Sequence, residues 1–348
     1  MNAVAAQGQT CLLILPRGFY SFAQTLARGL KELGFETVIA NDEYPENLFG
    51  KIISKLGLPL SHRITRRVLV AQVLEGHRYD LILVIKGRGL DAETAQLLNA
   101  HAHAVVGYHF DSFRFDRGPA RWRHCVSRVC TFDYRDAQEE GLALVELFTS
   151  MPLVDTVPRR RYRVSAIMRN HSERLAYLDR VLVALDGMGS GDVFVHIFEA
   201  NALTFLANFV RHPMLYLKYR KSISRRALPY DQYVDVLSRS ACTIDYAHPR
   251  QTGITIRCFE ALSAGTRIIT NNPSVLKSAH FDSDNVIVFT PDTAASVLRQ
   301  QVQALPLAQP APRRRTVLDF LRELIGTGGT ILPVHGPAQL PTSGAGAA

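Results

Sequence analysis

The sequence predicts an α/β chain built as two Rossmann-like domains, and three observations predict it. Short apolar, β-branched runs alternate with helical stretches, the pattern of a parallel sheet covered by helices. The strand–turn–helix–strand that opens at Thr10 is repeated from Tyr162. Between the halves, Ser150-Met-Pro-Leu-Val-Asp-Thr-Val-Pro-Arg-Arg-Arg161 has two prolines and little periodicity, and reads as a linker.

Bulk properties agree. A chain of 348 residues with 47% hydrophobic and 20% charged residues can bury two cores. No apolar run approaches the ~20 residues of a membrane span, and the N-terminal Met-Asn-Ala-Val-Ala-Ala-Gln lacks a basic leader. Five cysteines (Cys11, Cys125, Cys130, Cys242, Cys258) form no CxxC pair, so reduced thiols of a cytoplasmic protein are expected. The net charge of +9 is scattered over Arg63, Arg66, Arg67, Arg159 to Arg161, Lys218 to Lys221, Arg225, Arg226 and Arg313 to Arg315. No nucleic-acid module accompanies it. Attraction to phosphate-bearing substrates or to anionic lipid explains the charge at least as well, and solvated faces are the plain alternative.

In the first half, Thr10-Cys-Leu-Leu-Ile-Leu15 is a buried strand, and Phe22, Leu26, Leu30 and Leu33 space a helix that Gly34 stops. Residues 35–40 form the second strand. GxGxxG is absent from this opening, which speaks against a dinucleotide site. Residues from Asp42 to about Glu75 read as helical and basic, an insertion facing an acceptor or a membrane. Tyr79 to Lys86 is a strand, Asp91 begins a helix, and Ala104 to Tyr108 is a strand ending in His109-Phe-Asp-Ser112. Asp111 and His109 thus lie at a strand's carboxyl end, where catalytic groups collect in open α/β sheets. A carboxylate or imidazole there suits a general base; an N-cap or turn is the alternative reading of the same Asp-Ser.

In the second half, Tyr162 to Met168 is a strand, Arg169-Asn-His171-Ser its loop and Glu173 to Leu185 a helix. Arg169 and His171 can reach an anion there; a surface turn is equally open. Gly187-Met-Gly-Ser-Gly191 follows a helix and reads as a connection, and His196 as a core histidine in its strand. Leu215 to Arg226 is basic with Tyr216 and Tyr219 interleaved and reads first as a solvated loop, with stacking a base or guarding the cleft as the alternative. Ala241 to Tyr246 is a strand, and Arg267 to Thr270 another; between them lies Gln251-Thr252-Gly253-Ile-Thr255-Ile-Arg257-Cys-Phe-Glu260. Thr252 can cap the intervening helix, and Gly253 lets backbone approach a phosphate. Free amides and the dipole favour an anion at its start. An Arg257 fork suits a diphosphate, a Glu260 carboxylate suits paired ribose hydroxyls, and Gln251 and Thr255 suit sugar or phosphate oxygens.

Gly-Ile-Thr-Ile-Arg-Cys-Phe-Glu-Ala-Leu-Ser-Ala-Gly265, followed by Arg-Ile-Ile-Thr-Asn-Asn272, resembles the donor-binding helix of group 1-like GT-B glycosyltransferases. It is most similar to bacterial enzymes of lipopolysaccharide and capsule assembly, and more loosely to the spore-maturation glycosyltransferase-like family. Tyr-His109-Phe-Asp111-Ser-Phe and Val129-Cys-Thr-Phe-Asp133 are similar to further stretches of that group. The resemblance implies two Rossmann-like domains facing each other across a cleft. It divides the chain into an acceptor domain (1–149), a linker (150–161), a nucleotide-sugar donor domain (162–309) and a C-terminal helix (310–325) of the kind that often crosses back; from Gly326 the Gly-, Pro- and Ala-rich composition reads as a disordered tail (326–348). The resemblance also implies metal-independent hexosyl transfer from a nucleotide sugar to a glycan or lipid-linked acceptor, with no cofactor, no metal and no nucleic-acid partner. The enzyme would be cytoplasmic, with peripheral contact at an anionic inner membrane face as an option. Retaining members often carry two glutamates eight positions apart in this helix. The second falls on Glu260, but the first is Thr252, which keeps a catalytically degenerate nucleotide-sugar binder or adaptor open.

Overall fold

The structure, a computed structural model, describes residues 8–154, 158–187, 192–199, 201–305 and 308–326. The expected tail beyond residue 326 and the glycine-rich stretch 188–191 lie outside the described residues. The chain forms two compact units. Unit 1 runs to Thr131 and adds Gly141–Val145 and the chain from Leu321; unit 2 is Phe132–Glu140 with Glu146–Phe320.

Unit 1 is a parallel sheet of β1 (Gln9–Leu15), β2 (Phe35–Asn41), β3 (Tyr79–Ile85), β4 (Ala102–His109), β5 (Arg128–Thr131) and β6 (Ala143–Leu144). The order is β2-β1-β3-β4-β5-β6, with Ile14 opposite both Ala40 and Val84. Apolar runs such as Leu12–Ile14 and Leu81–Ile85 are fully buried, because both faces of these central strands are covered. The helices are α1 (Tyr20–Glu32), α2 (Leu48–Lys55), α3 (Pro59–Leu69) and α4 (Ala92–Ala100). The stretch expected to be helical from Asp42 to about Glu75 is helical over Leu48–Lys55 and over residues 59–74, in separate pieces and starting later than expected. Asn47 caps α2 by accepting from the Gly50 amide at 2.9 Å, Pro59 opens α3, and residues 42–47 are not helical.

Unit 2 opens with α5 (Tyr134–Glu140), then β7 (Tyr162–Arg169), α6 (Arg174–Ala184), β8 (Asp192–Phe198), α7 (Ala202–Arg211), α8 (Pro213–Lys218) and β9 (Ile223–Ser224). It continues through α9 (Tyr230–Ser238), β10 (Ser240–Asp245), α10 (Ile256–Ser263), β11 (Arg267–Thr270), β12 (Val286–Val288) and α11 (Ala295–Gln303), before α12 (Val317–Ile325). Its sheet is also parallel, in the order β12-β11-β10-β7-β8-β9. Val164, Ala166, Leu178, Val181 and Ile244 form the centre of its core. Strand order reverses between β7 and β10, so the carboxyl ends of those two strands border the crevice where open α/β sheets take their ligands. In unit 1 the reversal falls between β1 and β3.

Candidate functional site

At the carboxyl edge of the unit 2 sheet a recess of about 270 Å³ opens, lined among others by Arg169, Tyr230, Tyr233, Arg257 and Glu260. Each is placed by a simple device. Arg169 is the last residue of β7, at the strand-order reversal. Arg257 and Glu260 lie three apart on α10, on the face left half-buried while Cys258, Phe259, Ala261 and Leu262 turn into the core. The buried Tyr233 of α9 donates to Glu260 Oε2 at 2.5 Å, and the Arg257 guanidinium stacks 4.9 Å from its ring centroid. Arg257 Nη1 is buried and finds no hydrogen-bond partner among the described residues. A buried guanidinium N–H in that state is a standing demand for an acceptor.

The surroundings are electropositive. Arg174 spends its guanidinium on the carbonyls of Arg169 (3.1 Å) and Tyr246 (3.4 Å), with Nε left over. His171 is held below its ordinary pKa by burial and by Arg174, His248 and Arg169. His248 is lowered by burial, then by Arg250 and Arg174. Burial is the larger cause in both; the neighbouring guanidinium groups add to it, and their charge favours an anion nearby.

The loop before α10 is built differently from the sequence expectation. The helix begins at Ile256, and Thr255, not Thr252, is its N-cap residue. The Thr252 hydroxyl donates instead to Asp133 Oδ1 at 2.6 Å, and the Thr252 and Gly253 amides donate to Asp133 Oδ2 at 2.6 and 3.2 Å. Asp133 also accepts from the amides of Arg135 and Asp136, at 3.0 and 3.1 Å, at the start of α5. One internal carboxylate therefore occupies the amides that the sequence reserves for a phosphate. A side chain at Gly253 would collide with the Phe132 ring, so the glycine serves this packing. The Thr255 hydroxyl donates to Asp245 Oδ1 at 2.7 Å, and the Gln251 backbone N–H donates to the His248 carbonyl at 2.8 Å. The recess thus brings together Arg169, Arg257 and Glu260, whereas His171, Gln251, Thr252, Gly253 and Thr255 lie outside its lining.

The carboxyl edge of the unit 1 sheet holds the other candidates. His109 ends β4, is 1% exposed and packs 4.2 Å from Phe113. Burial lowers its pKa to about 4, against the pull of Asp111 and Asp116. Asp111 Oδ2 lies 2.5 Å from Lys86 Nζ. Lys86 follows β3 with φ 67°, a left-handed backbone unusual for lysine. Arg88 grips Asp116 through Nε and Nη2 at 3.1 and 3.0 Å. Asp42, fully buried after β2, accepts from the Arg88 amide at 3.1 Å, while its Oδ1 has no hydrogen-bond partner among the described residues.

Residues 204–320 match the glycosyl transferase-like family model. Among curated proteins none matches the chain with significance. Solved structures align over nearly the whole chain. AviGT4, a glycosyltransferase involved in avilamycin A biosynthesis, is 14% identical with a TM-score of 0.52, covering 91% of this chain and 92% of its own. The lipopolysaccharide outer core galactosyltransferase WaaB is 11% identical at 0.53, over 90% and 98%. The sucrose-phosphate synthase of Thermosynechococcus elongatus is 12% identical at 0.54, over 90% and 93%.

The fold is GT-B, shared with these structures, and residues 204–320 match the glycosyl transferase-like model. Within that stretch lie Arg257, Glu260, Tyr230 and Tyr233. The GT-B resemblance drawn from the α10 segment agrees with this fold. Sequence reasoning missed the aromatic wall: Tyr230 and Tyr233 flank an ordinary amphipathic pattern, and only the i, i+3 spacing of the two tyrosines hints at a shared face. It also misplaced Tyr216 and Tyr219. Neither is a solvated stacking ring; both are buried. Tyr216 bonds the buried Glu199 and receives the Asn170 amide at 2.7 Å, and Tyr219 donates to Asp179 at 2.7 Å. Glu199 and Asn170 were likewise unread, being 29 residues apart in sequence and 2.6 Å apart in space.

Proposed function

We propose that the chain is a glycosyltransferase that moves a sugar from a nucleotide-diphosphate donor to a glycan or lipid-linked acceptor of the lipopolysaccharide or capsule type. The observation that supports this reading most is the convergence of Arg169, Arg257 and Glu260 in one recess at the β7/β10 reversal. Arginines there suit the diphosphate, and Glu260, already accepting from Tyr233, retains oxygen lone pairs for ribose hydroxyls. Negative charge builds on the leaving diphosphate as the glycosidic bond breaks, and fixed guanidinium groups stabilise it. Acceptor deprotonation is assigned to Asp111 or His109. His109 is neutral at pH 7, as a base must be, but enclosed, so Asp111 is the readier group. The reading calls on no metal or cofactor, and on a hexosyl donor used at the cytoplasmic face of the membrane.

A second reading, nucleotide-sugar binding without transfer, is favoured by one observation: Asp133 fills the amides of Thr252 and Gly253. Incubation with UDP-, GDP- and ADP-sugars plus lipid-linked glycan extract separates the two. Nucleoside diphosphate release from one donor, slowed tenfold or more in Asp111→Asn, is expected for the transferase. Tight donor binding with no release under any of these mixtures would establish the binder instead.

A further inference from the structure

The α7–α8 segment of unit 2 presents an apolar face that nothing in its own unit covers. Leu203, Leu206 and Val210, three and four residues apart, are 81%, 57% and 71% exposed. Met214 and Leu217 continue the stripe on α8 at 75% and 52%. The opposite face of α7 is apolar as well: Phe205 and Phe209 pack edge-on against Tyr216, centroids 5.3 and 5.8 Å away. No residue of α7 is buried. A helix apolar on both faces belongs in a core or at an interface.

Charge selects the kind of interface. Residues 201–228 contain no aspartate or glutamate. Arg211, Arg220, Lys221, Arg225 and Arg226 are all exposed. Of the segment's lysines and arginines, Lys218 alone is in an ion pair among the described residues, with Asp179. A second copy of the chain docked by the same face would bring these cations against their own counterparts. An anionic bilayer complements both features, taking the leucines at the headgroup boundary and the basic side chains at the phosphates.

We propose that α7–α8 is a docking face for an anionic membrane surface. The inference does not depend on sugar transfer. Its test is sedimentation of the full chain with vesicles of phosphatidylcholine containing one-third phosphatidylglycerol, against phosphatidylcholine alone. Two surface variants accompany it: Leu203→Ser/Leu206→Ser/Val210→Ser, and Arg220→Gln/Lys221→Gln, each checked for an unchanged circular dichroism spectrum. Binding to the anionic vesicles that falls roughly tenfold or more in each variant is the expected result, given the worth of a basic residue near such a surface. Three results would overturn it: no binding to anionic vesicles, binding unchanged in the triple serine variant, or a wild-type dimer that this variant dissolves.

Discussion

The two sheets of this chain have the same strand direction and the same reversal, yet their carboxyl edges differ. The unit 2 edge leaves Arg169, Arg257 and Glu260 around an open recess. The unit 1 edge closes over its ionisable groups: Asp42 and His109 are buried, and Asp111 and Asp116 are held by Lys86 and Arg88. An edge of either kind can be built from similar residues. What separates them is that Asp111 and Asp116 each carry a cation at their side, whereas Arg257 keeps a buried N–H without a partner among the described residues.

The largest expected effect probes the closed edge. Burial and Glu43 raise the Asp42 carboxyl to about 7, against Arg88 and Lys86. The folded state therefore holds a proton that the unfolded chain releases near 3.8. Stability from this group is present below pH 4 and lost as pH rises to 7. The full loss is about 4 kcal/mol at most, at 1.36 kcal/mol for each tenfold. Asp42→Asn should raise the melting temperature at pH 8 by several degrees and leave it little changed at pH 4; equal shifts at both would show Asp42 to be ionised and matched.

Next comes Asp133, the internal anion of unit 2. Asp133→Ala strips acceptors from the amides of Thr252, Gly253, Arg135 and Asp136, at a cost of about 3 kcal/mol and several degrees in Tm. Added phosphate should recover part of that loss if the vacated amides accept an anion, and none if water suffices. Arg257→Ala should then weaken nucleotide binding roughly 10- to 100-fold with little loss of stability. The smallest effect is at Gly253. Gly253→Ala sets a methyl against Phe132 and should cost about 1–3 kcal/mol without touching the recess; a loss of nucleotide affinity as large as that of Arg257→Ala would return the loop to the binding site.

How much of this was legible in the sequence follows from the range of each interaction. Arg257 and Glu260 could be read because helical spacing is local. The two parallel sheets could be read from apolar runs bounded by turns. Asp133 could not be tied to Thr252, because that contact spans 119 residues. For the same reason Thr252 looked like a cap: Thr252 and Gly253 are bonded to Asp133 ahead of α5, and the helix begins only at Ile256. Tyr216 and Tyr219 were misread because basic neighbours suggest solvent, while Glu199 and Asp179 supply buried acceptors from other elements.

The central claim is that the unit 2 recess holds the nucleotide of a sugar donor. The most direct measurement is calorimetric titration of UDP, GDP, ADP and CMP into the wild type and into Glu260→Ala. Saturable binding of one nucleotide by the wild type, weakened tenfold or more in the variant, is the predicted result. Binding that Glu260→Ala leaves intact, or none with any of the four, would contradict the assignment.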